Sequence, residues 1–199
     1  MNKGGLVFKK QEMTRLWDDN KQVPVTLLKL LKQEVIRKKT NEKDGYSALV
    51  VGIGKKELDK EKWNKIKYKY ITEFKVDAKD LDNYKEGDLL DKSILESVES
   101  VKLQWKSKWK WFAGVVKKYW FGWGPKTHGS KFHRGPGSIG NMNPKRVNKG
   151  HPLPGRMWTD KKTLKNVKVI DLIENDNEVL LAVKWSVPGS YGSYVKVLS

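Results

Sequence analysis

Two glycine-rich segments of the sequence have the spacing of phosphate-binding loops. Gly135-Pro-Gly-Ser-Ile-Gly140 has the G-x-G-x-x-G spacing of dinucleotide sites, and Gly124–Gly129 has the glycine spacing of a P-loop. A dinucleotide site requires a strand before the glycines and a helix after them, but a basic segment precedes this one and Asn143-Pro144 follows it. A P-loop continues with Lys-Ser or Lys-Thr, where this chain has Ser130-Lys131. Neither segment is therefore interpreted as a nucleotide site.

The side chains best suited to metal binding or acid–base catalysis are the three histidines, His128, His133 and His151. The chain has no cysteine, and Asp160 is the single carboxylate between residues 101 and 168. Zinc sites usually combine histidine with cysteine or carboxylate ligands, and a general base usually needs a carboxylate or an apolar pocket to tune its pKa. The sequence therefore predicts no catalytic residue, no metal and no cofactor. The histidines are interpreted as rings that stack on bases or donate to phosphate.

The positive charge is concentrated in one third of the 199-residue chain. Residues 101–168 hold 17 basic residues and one acidic residue, a net charge of +16 out of +18 for the whole sequence. Such a segment would repel itself unless a polyanion lay beside it, and nucleic acid is the obvious candidate. A membrane surface would favour an amphipathic helix, which the glycines and prolines of this segment exclude. A solvated basic surface is the remaining alternative.

Basic residues of this region are predicted to contact phosphate, and three rings among them to stack on bases or contact base edges. Packing into a core is the alternative for Phe132, as it is for Phe112. The predicted RNA-binding residues are Lys106, Lys108, Lys110, Lys117, Lys118, Lys126, His128, Lys131, Phe132, His133, Arg134, Lys145, Arg146, Lys149, Arg156, Lys161 and Lys162.

Short β-like runs separated by polar turns flank this region, and their close spacing favours a small barrel. A segment of helix formers without glycine or proline, Glu57–Lys69, predicts a helix among them. Asn175-Asp176-Asn177 predicts a hairpin turn. The predicted strands are Gly5–Lys9, Val23–Leu31, Val35–Lys39, Tyr46–Ile53, Tyr70–Val76, Val98–Leu103, Asn166–Ile173, Glu178–Trp185 and Ser193–Leu198.

The segment Gly122–Gly155 differs from both flanks. It holds eight glycines and five prolines in 34 residues, with no sustained period of 2 or 3.6. A loop of this length without secondary structure is uncommon in a compact domain unless it has a function. The composition therefore predicts an arm that leaves the β domain and takes its shape from a partner.

Five segments carry a resemblance to a known family. They are Phe112-Ala-Gly-Val-Val-Lys-Lys118, Gly124-Pro-Lys-Thr-His-Gly-Ser130, Phe132-His-Arg-Gly-Pro-Gly-Ser-Ile-Gly140, Pro154-Gly-Arg-Met157 and Val187-Pro-Gly189. In order and spacing the chain resembles the bacterial and organellar form of large-subunit ribosomal protein three, over about Gly5–Ser199.

The resemblance implies a mainly β fold, with a small six-stranded β-barrel of the type found in translation factors and a long basic extension. The barrel would comprise residues 1–104 and 165–199, with a short helical insertion near residues 57–69. The extension, residues 105–164, would enter the ribosomal RNA toward the peptidyl transferase centre, with its tip near Asn141–Arg156. Some bacterial members carry a methylated glutamine near this tip, but Asn141-Met-Asn-Pro144 has none, so that modification is not expected. Phe8 and Glu12 lie where the family usually has glycine.

The expected function is that of a structural component of the large ribosomal subunit. It would bind large-subunit rRNA, nucleate assembly near the 3′ end of that RNA and contact neighbouring large-subunit proteins. The N-terminus lacks the pattern of a signal peptide and no apolar run is long enough to span a membrane, so a cytoplasmic ribosome is expected, or an organellar one. No membrane or small-molecule substrate is expected. The alternatives are a free single-strand-binding or RNA-chaperone module and a small RNA-modifying enzyme, which the scarcity of acids disfavours.

The nine tryptophans, about 4.5% of the chain, are several times the usual share. Seven of them lie where the resembled family usually has glycine, as in Ser107-Lys-Trp-Lys-Trp-Phe-Ala-Gly114 against Ser-Lys-Gly-Lys-Gly-Phe-Ala-Gly. A single cause would be UGA codons that the source organism reads as glycine. On this hypothesis the seven positions, unlike Trp17 and Trp63, are glycine in the protein as made. The seven are Trp105, Trp109, Trp111, Trp120, Trp123, Trp158 and Trp185.

Overall fold

The computed structural model describes residues 4–18, 20–55, 68–95, 98–175 and 178–198. Its strands are β1 (Gly5–Asp18), β2 (Lys21–Leu30), β3 (Gln33–Lys39), β4 (Ala48–Lys55), β5 (Tyr68–Lys75), β6 (Ser100–Lys106), β7 (Phe112–Ala113), β8 (Gly155–Arg156), β9 (Lys161–Asn175), β10 (Glu178–Lys184) and β11 (Tyr194–Leu198). Three short helices are α1 (Asn41–Asp44), α2 (Ala78–Leu81) and α3 (Val115–Tyr119), and Lys92–Ile94 forms a 3₁₀ turn. The prediction of a mainly β fold is confirmed. Within the described ranges, no helix has the length and apolar character needed to cross a membrane.

The chain divides into two compact units. The β unit contains the described residues up to Lys106 and from Lys161 onward, and the basic unit is Ser107–Asp160. The sequence analysis placed the change of domain at residues 104/105 and 164/165. The role assigned there to the second domain, entry into RNA, stays a prediction.

Six strands of the β unit form a closed antiparallel sheet in the order β1-β11-β6-β9-β10-β2, and pairing of β2 with β1 completes the ring. Side chains alternate across its wall. On β6, Val101, Leu103 and Trp105 are buried while the residues between them are more accessible. Alternation of this kind is what a sheet with one covered face requires, because successive side chains point to opposite faces.

Three of the predicted strands lie outside this ring, which corrects the expectation that the early strands share one barrel. Strands β3, β4 and β5 form a separate antiparallel sheet. Ala48–Ile53 of β4 is buried residue after residue, so this strand is covered on both faces. A strand covered on both faces reads as a continuous apolar run, and such a run does not show which sheet the strand joins.

The two sheets of the β unit pack against each other through β1. Leu6, Val7 and Phe8 are consecutive and all buried, and they belong to one apolar cluster with Val51 of β4 and Phe74 of β5. Full burial of side chains of this size contributes about 1.5–3 kcal/mol each. The N-terminal strand therefore belongs to the core of both sheets.

The predicted helix over Glu57–Lys69 is wrong at its end. Tyr68 and Lys69 begin strand β5, and residues 56–67 lie outside the described part of the chain. Burial from Tyr68 to Lys75 alternates with period 2, with Thr72 and Phe74 inside. The helical spacing that included Tyr70 therefore crossed into a strand.

Several element boundaries also differ from the prediction. Strand β1 continues past Lys9 to Asp18, through a bulge between Lys10 and Met13, because β2 pairs with it along most of its length. Strand β9 begins at Lys161 rather than at residue 166, because its first residues pair with the end of β6. The predicted hairpin of β9 and β10 is present, with Asn175 paired to Glu178.

Candidate nucleic-acid interface

The basic unit begins and ends in a short two-stranded stem. The Ser107 backbone N–H donates to the Asp160 carbonyl (2.9 Å), and farther along the Lys110 N–H donates to the Met157 carbonyl (2.9 Å). Strands β7 and β8 continue the pairing, with Phe112 opposite Arg156. The stem therefore holds the two ends of the segment 114–154 next to each other.

Helix α3 follows the stem at once. Gly114 is its N-cap, and Lys117 and Lys118 lie in its last turn, where the negative end of the helix dipole favours a cation. Trp120 ends the helix in the left-handed conformation, and its N–H donates to the Val116 carbonyl (3.1 Å). The helix was not predictable from the sequence, because its five residues are too few to show a helical period.

Beyond the helix, two parts of the arm are held together near Gly124. The Gly124 N–H donates to the His133 carbonyl (3.0 Å), and His133 Nδ1 bonds the Pro125 carbonyl (2.7 Å). A Cβ on Gly124 would lie 2.4 Å from the Phe132 carbonyl oxygen, so only glycine fits this approach. The contact fixes the segment between Gly124 and His133 as a loop.

The G-x-G-x-x-G segment packs against a ring instead of a phosphate. A Cβ on Gly135 would lie 2.1 Å from the Phe132 ring, so the ring occupies space that any side chain at position 135 would need. Phe132 is half exposed, which leaves one part of the ring accessible. No strand precedes Gly135 and no helix follows Gly140 within the described basic unit. The segment therefore lacks the context of a dinucleotide site.

The far part of the arm is exposed along its whole length. Every residue from Gly137 to Gly150 is exposed, and between Trp120 and Gly155 the described chain contains neither helix nor strand. Met142, an apolar side chain, is 88% exposed. The backbone and side chains of this part of the arm are therefore accessible to a partner.

The charge of the basic unit is uncompensated in space as well as in sequence. Residues 107–160 contain eleven basic residues and one acidic residue, Asp160, a net charge of +10. Among the described residues, every ion pair lies in the β unit, as in Lys29–Glu178 and Lys168–Asp18. The cations of the basic unit are thus available to an external anion.

A second concentration of lysines lies on the β unit. Lys106 of β6 lies directly opposite Lys161 of β9, and both are exposed. Like charges directly opposite each other destabilise a sheet. Burial, and then the charge of Lys161, lowers the pKa of the nearby Lys196. A polyanion would relieve the repulsion between these lysines.

The predicted RNA-binding residues are therefore divided between the units. Lys106, Lys161 and Lys162 lie on the β unit, and the other fourteen lie on the basic unit. All are exposed except Lys118 and His133, which are partly buried. Lys165 of β9 is exposed as well, and the prediction omitted it although its charge was visible in the sequence.

The histidines do not form a metal site in this structure. Among the described residues, no group of three histidines, cysteines or carboxylates is close enough to hold a metal ion. His133 is held by Pro125, His128 is exposed, and His151 has a buried Nε2 atom without a hydrogen-bond partner in the described structure. The three rings are thus in three different environments.

Comparison with known proteins agrees with the resemblance seen in the sequence. Residues 75–187 match the family model described as Ribosomal protein L3. The chain is 36% identical to the large ribosomal subunit protein uL3 of Oceanobacillus iheyensis, over 98% of this chain and 96% of the relative. It is 38% identical to the uL3 of Thermotoga maritima, over 98% and 96%, and 38% identical to that of Borrelia garinii subsp. bavariensis, over 97% of each.

The family is one of structural ribosomal components and not of enzymes, and its bacterial members are cytoplasmic. Identity at this level over almost the entire length of both proteins leaves no large segment unmatched. The predicted resemblance is confirmed. The chain belongs to the ribosomal protein L3 family.

Proposed function

We propose that this chain is a structural component of the large ribosomal subunit and that it binds large-subunit rRNA through its basic unit. The observation that carries the proposal is the net charge of +10 on residues 107–160, with no ion pair among the described residues of that unit. Phosphates supply the missing countercharge, and each contact releases condensed counterions. The relatives are themselves named as large-subunit proteins.

Within this proposal the two units have different tasks. The closed sheet of the β unit, proposed to be a barrel of the translation-factor type, provides a rigid base and contacts neighbouring ribosomal proteins. Lys106, Lys161 and Lys162 contact RNA at the surface of the closed sheet. The arm of the basic unit enters the RNA toward the peptidyl transferase centre, and early binding near the 3′ end of the RNA nucleates assembly.

The arm suits RNA because backbone and rings are both accessible there. Phe132 offers a half-exposed ring that Gly135 holds in place, and such rings stack on unpaired bases. Lys126, Lys131 and Arg134 surround the loop that Gly124 closes, and all three are exposed. Contacts to phosphate position the protein, while ring and base-edge contacts select the RNA segment.

The test is co-sedimentation with large ribosomal subunits in a sucrose gradient, combined with charge-removal variants. The triple variant K126Q/K131Q/R134Q removes three exposed charges from the arm. The matched control K43Q/K79Q/K85Q removes three exposed charges from the β unit at positions outside the predicted RNA-binding set. We expect the arm variant to lose binding to large-subunit rRNA by about tenfold or more at moderate salt, and the control variant to bind nearly as the parent does.

Two results would contradict the proposal. If both variants bind equally well, the arm does not contribute the phosphate contacts. If the full chain binds RNA but stays at the top of the gradient when particles are present, the protein is the free RNA-binding module instead of a ribosomal component.

A further inference from the structure

Three tryptophans have a backbone conformation that side chains of their size avoid. The φ angles are +51° at Trp111, +62° at Trp120 and +70° at Trp185. In this region the Cβ atom of an L-residue lies too close to the following carbonyl oxygen, and a bulky residue there is a true outlier. Three outliers of one residue type in one chain call for a common explanation.

Most of the other described residues with positive φ are of types that adopt it readily. Nine glycines have it, as do Asn20 and Asn166, and Lys145 is the exception. Glycine has no Cβ, and asparagine is several-fold enriched in this region. Tryptophan is the residue type out of place. Trp17 serves as an internal comparison, since it lies in strand β1 and its φ is not positive.

The position of Trp120 points to a specific replacement. It follows the last residue of α3 and has φ +62° and ψ +34°, the left-handed cap that ends many helices. Glycine is the usual residue at this cap. A tryptophan there is 90% exposed, so no burial of the indole offsets the strain.

The indoles of the other positions are also poorly accommodated. Trp109, Trp111, Trp123 and Trp185 are 58–65% exposed, so burial of these indoles stabilises the fold little. Trp17, at 71%, is exposed as well, so the backbone angles and not the exposure distinguish the set. The guanidinium carbon of Arg156 lies 2.9 Å from the centre of the Trp158 ring. Trp105 is buried, but its Nε1 has no hydrogen-bond partner in the described structure, and a buried indole N–H usually has one.

We infer that the protein made in its own organism has glycine at positions 105, 109, 111, 120, 123, 158 and 185, because UGA codons there are decoded as glycine. Every one of the three strained tryptophans belongs to this set, which was defined by sequence alone. The other four positions, Trp105, Trp109, Trp123 and Trp158, have no positive φ and are included because one codon assignment acts on all seven positions. The inference concerns the residues themselves and holds whether or not the chain binds RNA.

The inference changes the surface of the basic unit. Trp109, Trp111 and Trp158 contact one another, with ring centres 5.6–6.3 Å apart, and would otherwise be taken as a platform for stacking bases. A depression of about 360 Å³ beside Lys110 and Lys117 is lined in part by Trp120 and Trp123. With glycine at these positions both features are lost, and the unit presents cations on an open backbone. A stacking platform would need exposed rings, but it would not need a left-handed backbone beneath them.

Mass spectrometry of the protein purified from its own organism decides the question. Cleavage after glutamate isolates the relevant positions. Residues 100–174 contain six of the seven, residues 179–199 contain Trp185, and residues 13–34 contain Trp17 as the control. We expect the mass of the first peptide to be lower than the printed sequence gives by six times the mass difference between tryptophan and glycine. The second peptide should be lower by one such difference, and the control peptide should have the mass of the printed sequence.

Sequencing of the gene provides the second measurement. We expect UGA at all seven codons and UGG at codon 17. A tryptophan mass at any of the seven positions, or UGG at any of their codons, overturns the single-cause inference. Glycine mass in the control peptide overturns it as well, because the exchange would then not be confined to the set.

Discussion

Trp185 and Trp17 form a matched pair for measuring backbone strain in single residues. Both are largely exposed and both lie in the β unit, but Trp185 has φ +70° and Trp17 continues strand β1. We expect W185G to raise the free energy of unfolding by about 1 kcal/mol, because a left-handed L-residue costs roughly 1–2 kcal/mol. W17G should lower it by about 0.5–1 kcal/mol, since glycine weakens a strand. Urea denaturation of the full chain measures both changes.

An alanine variant separates strain from loss of the indole. W185A keeps the Cβ atom that causes the strain, so it should not reproduce the gain of W185G. Equal destabilisation by W185G and W17G would show that the left-handed backbone at position 185 costs nothing.

Gln33 is a buried polar residue that joins the two sheets of the β unit. It is 1% exposed, and its Oε1 accepts the Val7 backbone N–H (3.0 Å), while Nε2 donates to the Leu31 carbonyl (3.3 Å). Q33L keeps a similar volume but leaves the Val7 N–H buried without a partner. We expect a loss of about 1–3 kcal/mol in the free energy of unfolding.

The control for this change is Q22L on the exposed edge of β2. Gln22 accepts a bond from Arg15 (3.2 Å) at the surface, where water can replace it. The loss there should stay within about 0.5 kcal/mol. A Q33L variant as stable as Q22L would mean that Gln33 does not satisfy the Val7 N–H in solution.

At the scale of elements, Tyr46 and two strands of the three-stranded sheet form one polar clip. Lys39 of β3 bonds Glu73 of β5 (2.7 Å), and the Tyr46 hydroxyl donates to the same carboxylate (2.9 Å). Hydrogen bonds from Lys39 and then Tyr46 lower the pKa of Glu73 below its usual 4.5, and the Lys39 pKa rises, chiefly through its bond to Glu73.

The direction of the Glu73 shift fixes the pH dependence of the clip. A carboxyl group whose pKa is lower in the folded state stabilises the fold above its unfolded pKa, and the contribution is lost as pH falls through the folded pKa. We expect E73Q to be less stable than the parent at pH 7 by roughly 0.2–1 kcal/mol, the range for exposed pairs. The difference should shrink as the pH falls below 4.5 and vanish below the lowered pKa of Glu73.

E178Q is the matched control, because Glu178 is equally exposed (43%) and pairs with a single lysine, Lys29. Among the described residues, the pair at Glu178 lacks a second donor of the kind that the Tyr46 hydroxyl provides to Glu73. Identical pH profiles for E73Q and E178Q, recorded by urea denaturation at several pH values, would show that the Tyr46 hydroxyl adds nothing.

How far the elements could be predicted depended on what each one pairs with. Strands with clear local alternation, such as β6, were found from the sequence with small errors at their ends. Strand β1 was predicted to stop at Lys9, because its continuation is exposed and is held by pairing with β2. The membership of β3–β5 in a second sheet depends on which strands meet in space, and a local pattern does not contain that information.

In the candidate site, the charge could be predicted from the sequence but the geometry could not. The exposed cations were predictable, because the composition of residues 101–168 alone shows 17 basic residues against one acidic residue. The loop that Gly124 closes against Phe132 and His133 was not, because it depends on a backbone approach between residues about eight apart. The strained tryptophans required the backbone angles.

At the scale of the whole molecule, the two units should differ in order when RNA is absent. Between residues 122 and 154, the described hydrogen bonds protect three backbone N–H groups, those of Gly124, Phe132 and His151. Fixing each residue costs about 1–2 kcal/mol in backbone entropy, and the arm buries little apolar surface in return. We expect amide exchange in this segment to be fast in the free protein and slow in the RNA complex. Slow exchange across the free arm, measured with the β6 amides as the protected reference, would contradict this.

The charge of the arm should also set the salt dependence of RNA binding. If about half of the 17 basic residues in 101–168 reach phosphate, log K against log salt has a slope of roughly −6 to −8.

Replacing residues 122–154 by a short glycine–serine linker removes six basic residues and keeps both strands of the β7–β8 stem. We expect the slope to flatten by about 2–3 units, since about half of those six should contact phosphate. Filter binding to large-subunit rRNA over a range of salt concentrations measures both slopes, with K43Q/K79Q/K85Q as the variant that should keep the parent slope. An unchanged slope after the replacement would place the phosphate contacts outside residues 122–154, on the stem and helix α3 or on the lysines of the β unit around Lys106 and Lys161.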